Sequence, residues 1–530
     1  MKKLICLLLA LMMVLALCAC GSSSSQSTAD SAAADTTAAA DTSAAAADGD
    51  RVLRIGTTET MQSYSPTATG GRMMNVAYEY LITKDEDGNF VNWLAEDIEW
   101  VDNMTLQIKV RDDVTFQDGN PLTGEDVLYS LYYASADRTS MTADKFAHVD
   151  YDASYVEDDG LTVVLKMKDE YSFMYSWLAM AVITEKATAS ELASDEPTWW
   201  DEPISTSAYV LTENVDGSHC TFKLRDDYWD TENMPQWDEI TFYYYANATA
   251  MFIAFENGEL DVVFNVDSSD YDRAVAGETA NADTVGTSLV AVNSPLNICL
   301  GAYCEYFQDA KVREAIFHAI DPDAIGTVAY GSLYTTADSL LSDQFGDAYE
   351  SQGGYEYDVE LAKQCMAESS YPDGFEITWM VQEVDSLALE VVQAELAEIG
   401  ITLNVETYDF ATLLQNLLVP GNTDAAFWGG QRNSVDACEA ISPYYNGNAL
   451  TCTRIMDEDY NALYNSLPTI FDTDEQNEVL HEMQQWHHEN MWIYPVVTVN
   501  QAYVYDASKV DFHMTDISLS RVQYDITLVA

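Results

Sequence analysis

Histidine and cysteine are the residue types in this chain best suited to metal or nucleophilic chemistry, and there are seven of one and nine of the other. His481, His487 and His488 fall inside a pattern that predicts a helix over 473–490, with Thr473 as its N-cap and Asp474 and Glu475 in its first turn. His481 and His488 are seven apart and so share a face, a spacing that could hold Ni²⁺ or Zn²⁺. Surface or half-buried histidines explain the pattern more simply, and no metal is expected. Cys220, Cys299, Cys304, Cys365, Cys438 and Cys452 contain no CxxC pair. Most of them read as buried thiols, although an exported compartment would permit disulfides. No GxSxG, HExxH or glycine-rich phosphate loop occurs. The sequence therefore argues for no catalytic residue and no cofactor. The chemistry it can offer is binding.

The charge narrows what could be bound. The 23 basic and 88 acidic residues give a formal net charge of -65, a surface that repels nucleic acid. It suits solubility outside the cell first, and attraction of cationic ligands second. At the N-terminus, Lys2 and Lys3 precede an apolar run over 4–17, too short to span a membrane comfortably and patterned as a secretory signal. The run ends in Leu17-Cys18-Ala19-Cys20-Gly21, which resembles a lipobox cut before Cys20. A diacylglycerol on the Cys20 thiol, with a further acyl chain on its amine, would anchor the chain to a membrane. Removing residues 1–19 takes away Lys2 and Lys3 and leaves a formal charge of -65 - 2 = -67. Residues 21–50, almost entirely Ser, Ala, Thr, Asp and Gly, cannot pack a core and read as a tether.

The elements that would position a binding site are set by periodicity. A first strand over 52–56 is followed by a polar loop to Pro66 and a helix over 73–81. Alternation predicts strands over 105–110 and 161–167, with the helix 127–134 opened by Gly124-Glu125-Asp126. Further strands are expected over 209–211, 221–224, 239–245 and 261–265, and a helix over 248–257 stopped by Gly258. Helices are expected over 309–319, with Pro322 just beyond, and over 359–368. A strand at 376–381, a helix at 386–399 and a strand at 402–406 make a β-α-β unit, which argues for a parallel sheet with right-handed crossover. Residues 492–505 read as extended. Two α/β lobes of this kind leave a cleft, the default place for a ligand.

Short segments along this frame carry a resemblance. Phe90-Val91-Asn92-Trp93-Leu94-Ala95-Glu96 is similar to a P-x-LAE segment. Val110-Arg111-Asp112-Asp113-Val114-Thr115-Phe116-Gln117-Asp118-Gly119, followed by Leu122-Thr123-Gly124-Glu125-Asp126-Val127, is similar to LR-x-x-V-x-F-H-D-G…L-T-A-x-D-V, with Gln117 at the usual histidine. Ser205-Thr206-Ser207-Ala208-Tyr209 stands at GTGPY, and Arg225-Asp226-Asp227-Tyr228-Trp229 resembles R-N-x-x-Y-W. Phe255 to Asp261, Asp309 to Ala315, His318-Ala319-Ile320-Asp321 and Tyr371-Pro372-Asp373-Gly374-Phe375 complete the ordered set. The chain thus resembles the family 5 solute-binding proteins, the peptide, nickel and oligosaccharide receptors of ABC importers, over about residues 52–510. Most of the matched residues read as structural. Asp118-Gly119 is a turn, Asp126 lies at a helix start, and Val312, Ala315, Ile316 and Ala319 share a core-facing stripe.

The resemblance implies an α/β, periplasmic-binding-protein-like fold (type II, cluster C), with two hinged lobes and an inserted extra domain. One lobe would comprise 51–82, 205–295 and 497–530, the inserted domain 83–204 and the other lobe 296–496. Implied ligand contacts lie in three places. They are Tyr64 and Ser65 after the first strand, Gln382 and Glu383 after 378–381, and Trp428, Gly429, Gly430, Gln431, Arg432 and Asp436 after the strand ending at Phe427. The family's W-x-x-D-x-x-D-P has Gln431 at its first Asp and Ser434 at its second, with Asp436 displaced by two. No Arg stands near Gln382. Both charged anchors of a dipeptide site are therefore altered, which favours a longer peptide held through its backbone. An oligosaccharide or nickel ligand is the rival within the receptor class, and a surface adhesin the rival outside it. The implied partners are a small peptide or other solute, ABC permease subunits and, through the lipid, the membrane; the receptor is expected to be a monomer.

Overall fold

The computed structural model describes residues 51–59, 72–85, 88–136, 142–187, 203–417, 419, 421–428, 434–442, 453, 457–515 and 519–529. The chain divides into residues 1–50 and a body from Arg51 to Ala530. No helix among the described residues is long and apolar enough to cross a membrane.

Three sheets organise the body. The first has seven strands in the spatial order Val285–Val290, Gln501–Asp506, Val262–Phe264, Val52–Thr57, Glu239–Tyr244, His219–Leu224 and Tyr209–Val215. Its centre is parallel, since Val52–Thr57 runs alongside both Glu239–Tyr244 and Val262–Phe264. The second has six strands in the order Tyr334–Thr336, Ile493–Val499, Leu296–Leu300, Ala425–Trp428, Phe375–Gln382 and Ile401–Tyr408, the last three parallel. The third is antiparallel, built from Ala95–Asp102, Thr105–Val110, Thr162–Lys166 and Tyr155–Val156.

Each large sheet is covered on both faces, as parallel sheets require. In Phe375–Gln382, Ile377, Trp379 and Val381 pack into one core and Met380 into another on the opposite face. Ile325, Leu389 and Val392, from two helices, cover the first of these faces. Removing such side chains from water stabilises the fold by about 1.5–3 kcal/mol each. The chain passes between the two large sheets twice, through residues 291–295 and at Asn500.

Local chemistry explains the element boundaries, including those that periodicity misplaces. The helix expected over 73–81 is Arg72–Ala77. Ser205 Oγ and Ser207 Oγ donate to the carbonyls of Ala77 (2.6 Å) and Val76 (2.7 Å), and these contacts end the turn where the sequence still looks helical. Pro322 does not merely follow a helix. It opens another, Pro322–Tyr330, at the position where its missing N–H is harmless, with Asp321 as the N-cap. The long helix is Thr473–Asn490, but its N-cap is Asp472, which accepts from Glu475 N, and Thr473 is its first helical residue. The extended run over 492–505 is two strands in different sheets, parted at Asn500, whose N–H donates to Leu333 O. Gly119 does sit in a turn with φ +88°. Gln117 spans the first and third sheets, donating to Tyr209 O at 2.8 Å. Cys220, Cys299, Cys304, Cys365 and Cys438 are buried and in no disulfide; Cys452 lies outside the described residues.

Candidate functional site

The three parallel strands of the second sheet end together. Gln382 pairs with Tyr408, and Val381 with Phe427, so Gln382, Tyr408 and Trp428 are neighbours along one edge. The space outside the carboxyl ends of parallel strands is where open α/β sheets take ligands, because backbone groups and loops converge there without side chains to fill the gap. Leu296–Leu300 starts at this edge, with Asn297 opposite Trp428, directly after the crossing segment 291–295. The first sheet presents the same edge to the second crossing. Val262–Phe264 ends beside Gln501–Asp506, which begins just after Asn500. The carboxyl ends of both parallel cores therefore lie at the two places where the chain passes between lobes.

On the second-lobe side, Gln382 is half-buried at the end of its strand and Glu383 is exposed at the start of a short 3₁₀ turn, Glu383–Asp385. Asp385, next to them, is buried and accepts from Tyr330 OH at 2.8 Å, which fixes the turn. Trp428 closes its strand. The crossing segment itself is clamped: Asn293 donates to Ser434 O at 2.8 Å and accepts from Ser434 N at 3.0 Å, both residues buried. Ser434 thus carries a backbone link to the crossing.

Asp436 is placed elsewhere than at the strand ends. One carboxylate oxygen caps the helix Ala437–Ile441, accepting from Glu439 N at 2.8 Å, and the other accepts from Ser176 Oγ beyond the third sheet. Tyr64, Ser65, Gly429, Gly430, Gln431, Arg432 and Cys20 lie outside the described residues. The structure accordingly brings Gln382, Glu383 and the backbone of Trp428 to one edge and sends Asp436 to a different contact.

The first-lobe side holds residues that the motifs did not single out. Arg72 is 3 % exposed, and its guanidinium binds Glu59 Oε1 at 2.7 Å, Tyr503 OH at 2.6 Å and Gln501 Oε1. It lies 4.9 Å from the centre of the Phe264 ring. Burial works against its charge, but Tyr503 and Glu59 more than offset this and the group stays a cation. Asn265 donates to the same Glu59 oxygen at 2.9 Å from a left-handed backbone, φ 56°. Few residues other than glycine accept that conformation, and Asn is one of them. This cluster joins the end of the first strand to the residue that follows the second crossing. Its signal in the sequence is slight, an Asn after a short apolar run and a lone Arg opening a helix.

The three late-helix histidines part company. His487 is buried, its Nε2 2.7 Å from Tyr460 OH, and burial pushes it down to about 3. His481 contacts Asp347 O at 2.8 Å, and His488 stacks on Tyr355 at 4.6 Å. Among the described residues no group of His, Cys, Asp and Glu is arranged to hold a metal.

Comparison with known proteins agrees with this architecture. Residues 89–451 match the family described as bacterial extracellular solute-binding proteins, family 5 middle. An ABC transporter peptide-binding protein of Brucella ovis is 27% identical over 406 residues, covering 72% of this chain and 73% of its own length. Among solved structures, the periplasmic binding protein DppA from Helicobacter pylori in complex with the peptide STSA aligns with a TM-score of 0.74 at 18% identity, over 90% of this chain and 98% of its own. NikA from Staphylococcus aureus in complex with Ni(L-His)₂ aligns with a TM-score of 0.72 at 18% identity, over 90% of this chain and all of its own, 100%. With more than half of its length matched by the family and the same fold over nine-tenths of it, the chain belongs to the family 5 bacterial extracellular solute-binding proteins, the substrate receptors of ABC transporters.

Proposed function

We propose that this receptor captures an oligopeptide between its two lobes and delivers it to an ABC permease while held to the outer face of a membrane by lipid on Cys20. The observation that carries the reading is the meeting of strand ends and crossings. Gln382, Tyr408 and Trp428 end one parallel core where residues 291–295 enter it, and Arg72, Glu59 and Gln501 cluster at the end of the other beside Asn500. A ligand bridging those edges gains contacts only when the lobes approach, which couples capture to closure.

The fold does not choose the ligand, since a peptide and a nickel chelate occupy neighbours of equal likeness. The peptide reading rests on the Brucella relative's name and on this chain's own side chains. Gln431 replaces the acid that would fix a terminal amine, and Gln382 and Glu383 stand where a carboxylate-binding Arg would be needed for a dipeptide. Tyr64, Ser65, Gln382, Glu383, Trp428, Gly429, Gly430, Gln431, Arg432 and, if the lobes close on it, Asp436 form the candidate contact set for a backbone-held chain. The proposed receptor works as a monomer of three parts: one lobe of 51–82, 205–295 and 497–530, an inserted domain of 83–204 and a second lobe of 296–496. Mass spectrometry of the small molecule that co-purifies with the native protein tests the reading. Peptides of three or more residues are expected. An oligosaccharide or a nickel–histidine chelate overturns the peptide assignment and leaves the receptor assignment standing.

A further inference from the structure

A groove of about 500 Å³ separates the third-sheet body from the second lobe, away from the strand ends. Its size is that of a small-ligand site. One wall is aromatic: Tyr171 and Trp177 are nearly buried, and the His148 ring stacks on Tyr171 at 3.9 Å with an interplanar angle of 7°. Tyr464 contributes from across the groove. The titratable lining is four acids, Asp144, Asp169, Glu170 and Glu439, against Lys145 and His148, whose Nδ1 lies 2.8 Å from Asp169 Oδ1. That lysine displays the preference of the walls. Lys145 Nζ lies 5.2 Å from the centre of the Trp177 ring and 2.9 Å from Asp144 Oδ2, an ammonium held by a π face and a carboxylate together.

Glu439 adds to the same preference. Its carboxylate accepts from Val435 N at 2.7 Å. Burial first, and the adjacent Asp436 second, push its carboxyl up to about 8. An acid kept protonated in this way is stabilised as the anion when a positive charge enters beside it. A cation on an apolar stem would meet both needs of the groove, apolar contact with the rings and neutralisation of the acids. A planar guanidinium suits the stacked rings best.

We propose that this groove is a second binding site, for a guanidinium or primary ammonium carried on an apolar stem. The proposal does not depend on what the strand ends bind. The cation could come as a free amine or as the basic side chain of a peptide, and the experiment separates the two. Titration calorimetry on the full chain uses butylguanidinium, with butyrate as the anionic control on the same stem. Butylguanidinium is expected to bind at one site and butyrate not at all. A triple variant of three lining acids, Asp144→Asn/Asp169→Asn/Glu170→Gln, is expected to weaken binding about tenfold. A charge-matched variant on remote surfaces, Asp158→Asn/Glu232→Gln/Glu278→Gln, is expected to leave it unchanged. Absence of binding, or equal weakening in both triples, overturns the proposal, the latter because it would mean general attraction to an acidic chain. Comparing Ala-Arg-Ala-Ala with Ala-Ala-Ala-Ala then assigns the source. A preference for the Arg peptide that the lining triple abolishes points to a peptide side chain, and no preference points to a free amine.

Discussion

The third-sheet body is joined to its neighbours by two seams of opposite character. The seam with the first lobe is closed around a buried carboxylate. Glu79 is 4 % exposed and accepts from Tyr228 OH at 2.6 Å, Trp93 Nε1 at 3.1 Å and Trp229 Nε1 at 3.1 Å. Arg225 donates across the same seam to Phe116 O at 3.1 Å, and only about 20 Å³ of space remains beside Glu79. Among the described residues, the seam with the second lobe is made by Ser172 N to Pro468 O at 2.8 Å, Gln476 Nε2 to Ser172 Oγ at 3.0 Å, Ser176 to Asp436, Phe173 against the second-lobe core and the Trp100–Phe471 ring pair, and it encloses the acidic groove. Both seams contain a buried or half-buried acid held above its ordinary range by burial. Glu79 is met by three side-chain donors, and Glu439 by one backbone N–H. The proposed closing motion is accordingly expected to carry the inserted body with the first lobe and to move the second lobe as the jaw.

The strongest way to break this contrast is Glu79→Ala. It strands the two indole donors and one bond of the Tyr228 hydroxyl, at about 1–3 kcal/mol per buried donor. A loss of about 3 kcal/mol or more is expected in urea unfolding, and a loss under about 1 kcal/mol would show that the first seam is not a fixed joint. Asp436→Ala at the second seam removes a helix cap and the Ser176 contact together. The expected cost is about 1–2 kcal/mol, with faster amide exchange confined to 434–442. An unchanged exchange rate there would refute the tethering role.

The pH dependence separates the seams further. Because the folded protein raises the Glu439 carboxyl from its ordinary range to about 8, its contribution is fully present below about pH 4.5 and is lost as pH rises through 8. Glu439→Gln should be level with the parent near pH 4 and more stable by about 1–2 kcal/mol at pH 9, after discounting for solvent around a half-buried group. A constant difference across that range would contradict the assignment. The smallest effect is expected for Ser176→Ala, about 0.5–1 kcal/mol in thermal unfolding, since Asp436 keeps its cap. A cost equal to that of Asp436→Ala would mean that the cap adds nothing.

Much of the frame was legible in the sequence because it is local. The helices Val359–Glu368 and Thr473–Asn490 and the unit through Phe375–Gln382, Ser386–Ala397 and Ile401–Tyr408 follow from periodicity, caps and Gly400, which takes φ +84°. Errors fell where distant groups intervene. Ser205 and Ser207 end a helix more than a hundred residues earlier in the chain. The helix after Pro322 is a different case, a local ambiguity: proline stops one helix and, with Asp321 as cap, starts the next. The site was legible only in part. Gln382 and Glu383 lie at the expected edge, but Arg72, Glu59, Asn265 and Gln501 are drawn together from stretches as far apart as 59 and 501, and no spacing announces them.

By itself, then, the sequence determined the class of elements, the apolar stripes that bury them and the family, since these depend on residues a few positions apart. The tertiary structure alone decided that 492–505 divides between two sheets, that Asp436 holds a neighbouring body and that four acids share a groove with Lys145 and His148. Those outcomes depend on which distant surfaces meet, and hydrogen bonds and charges act only over the few ångströms that folding sets.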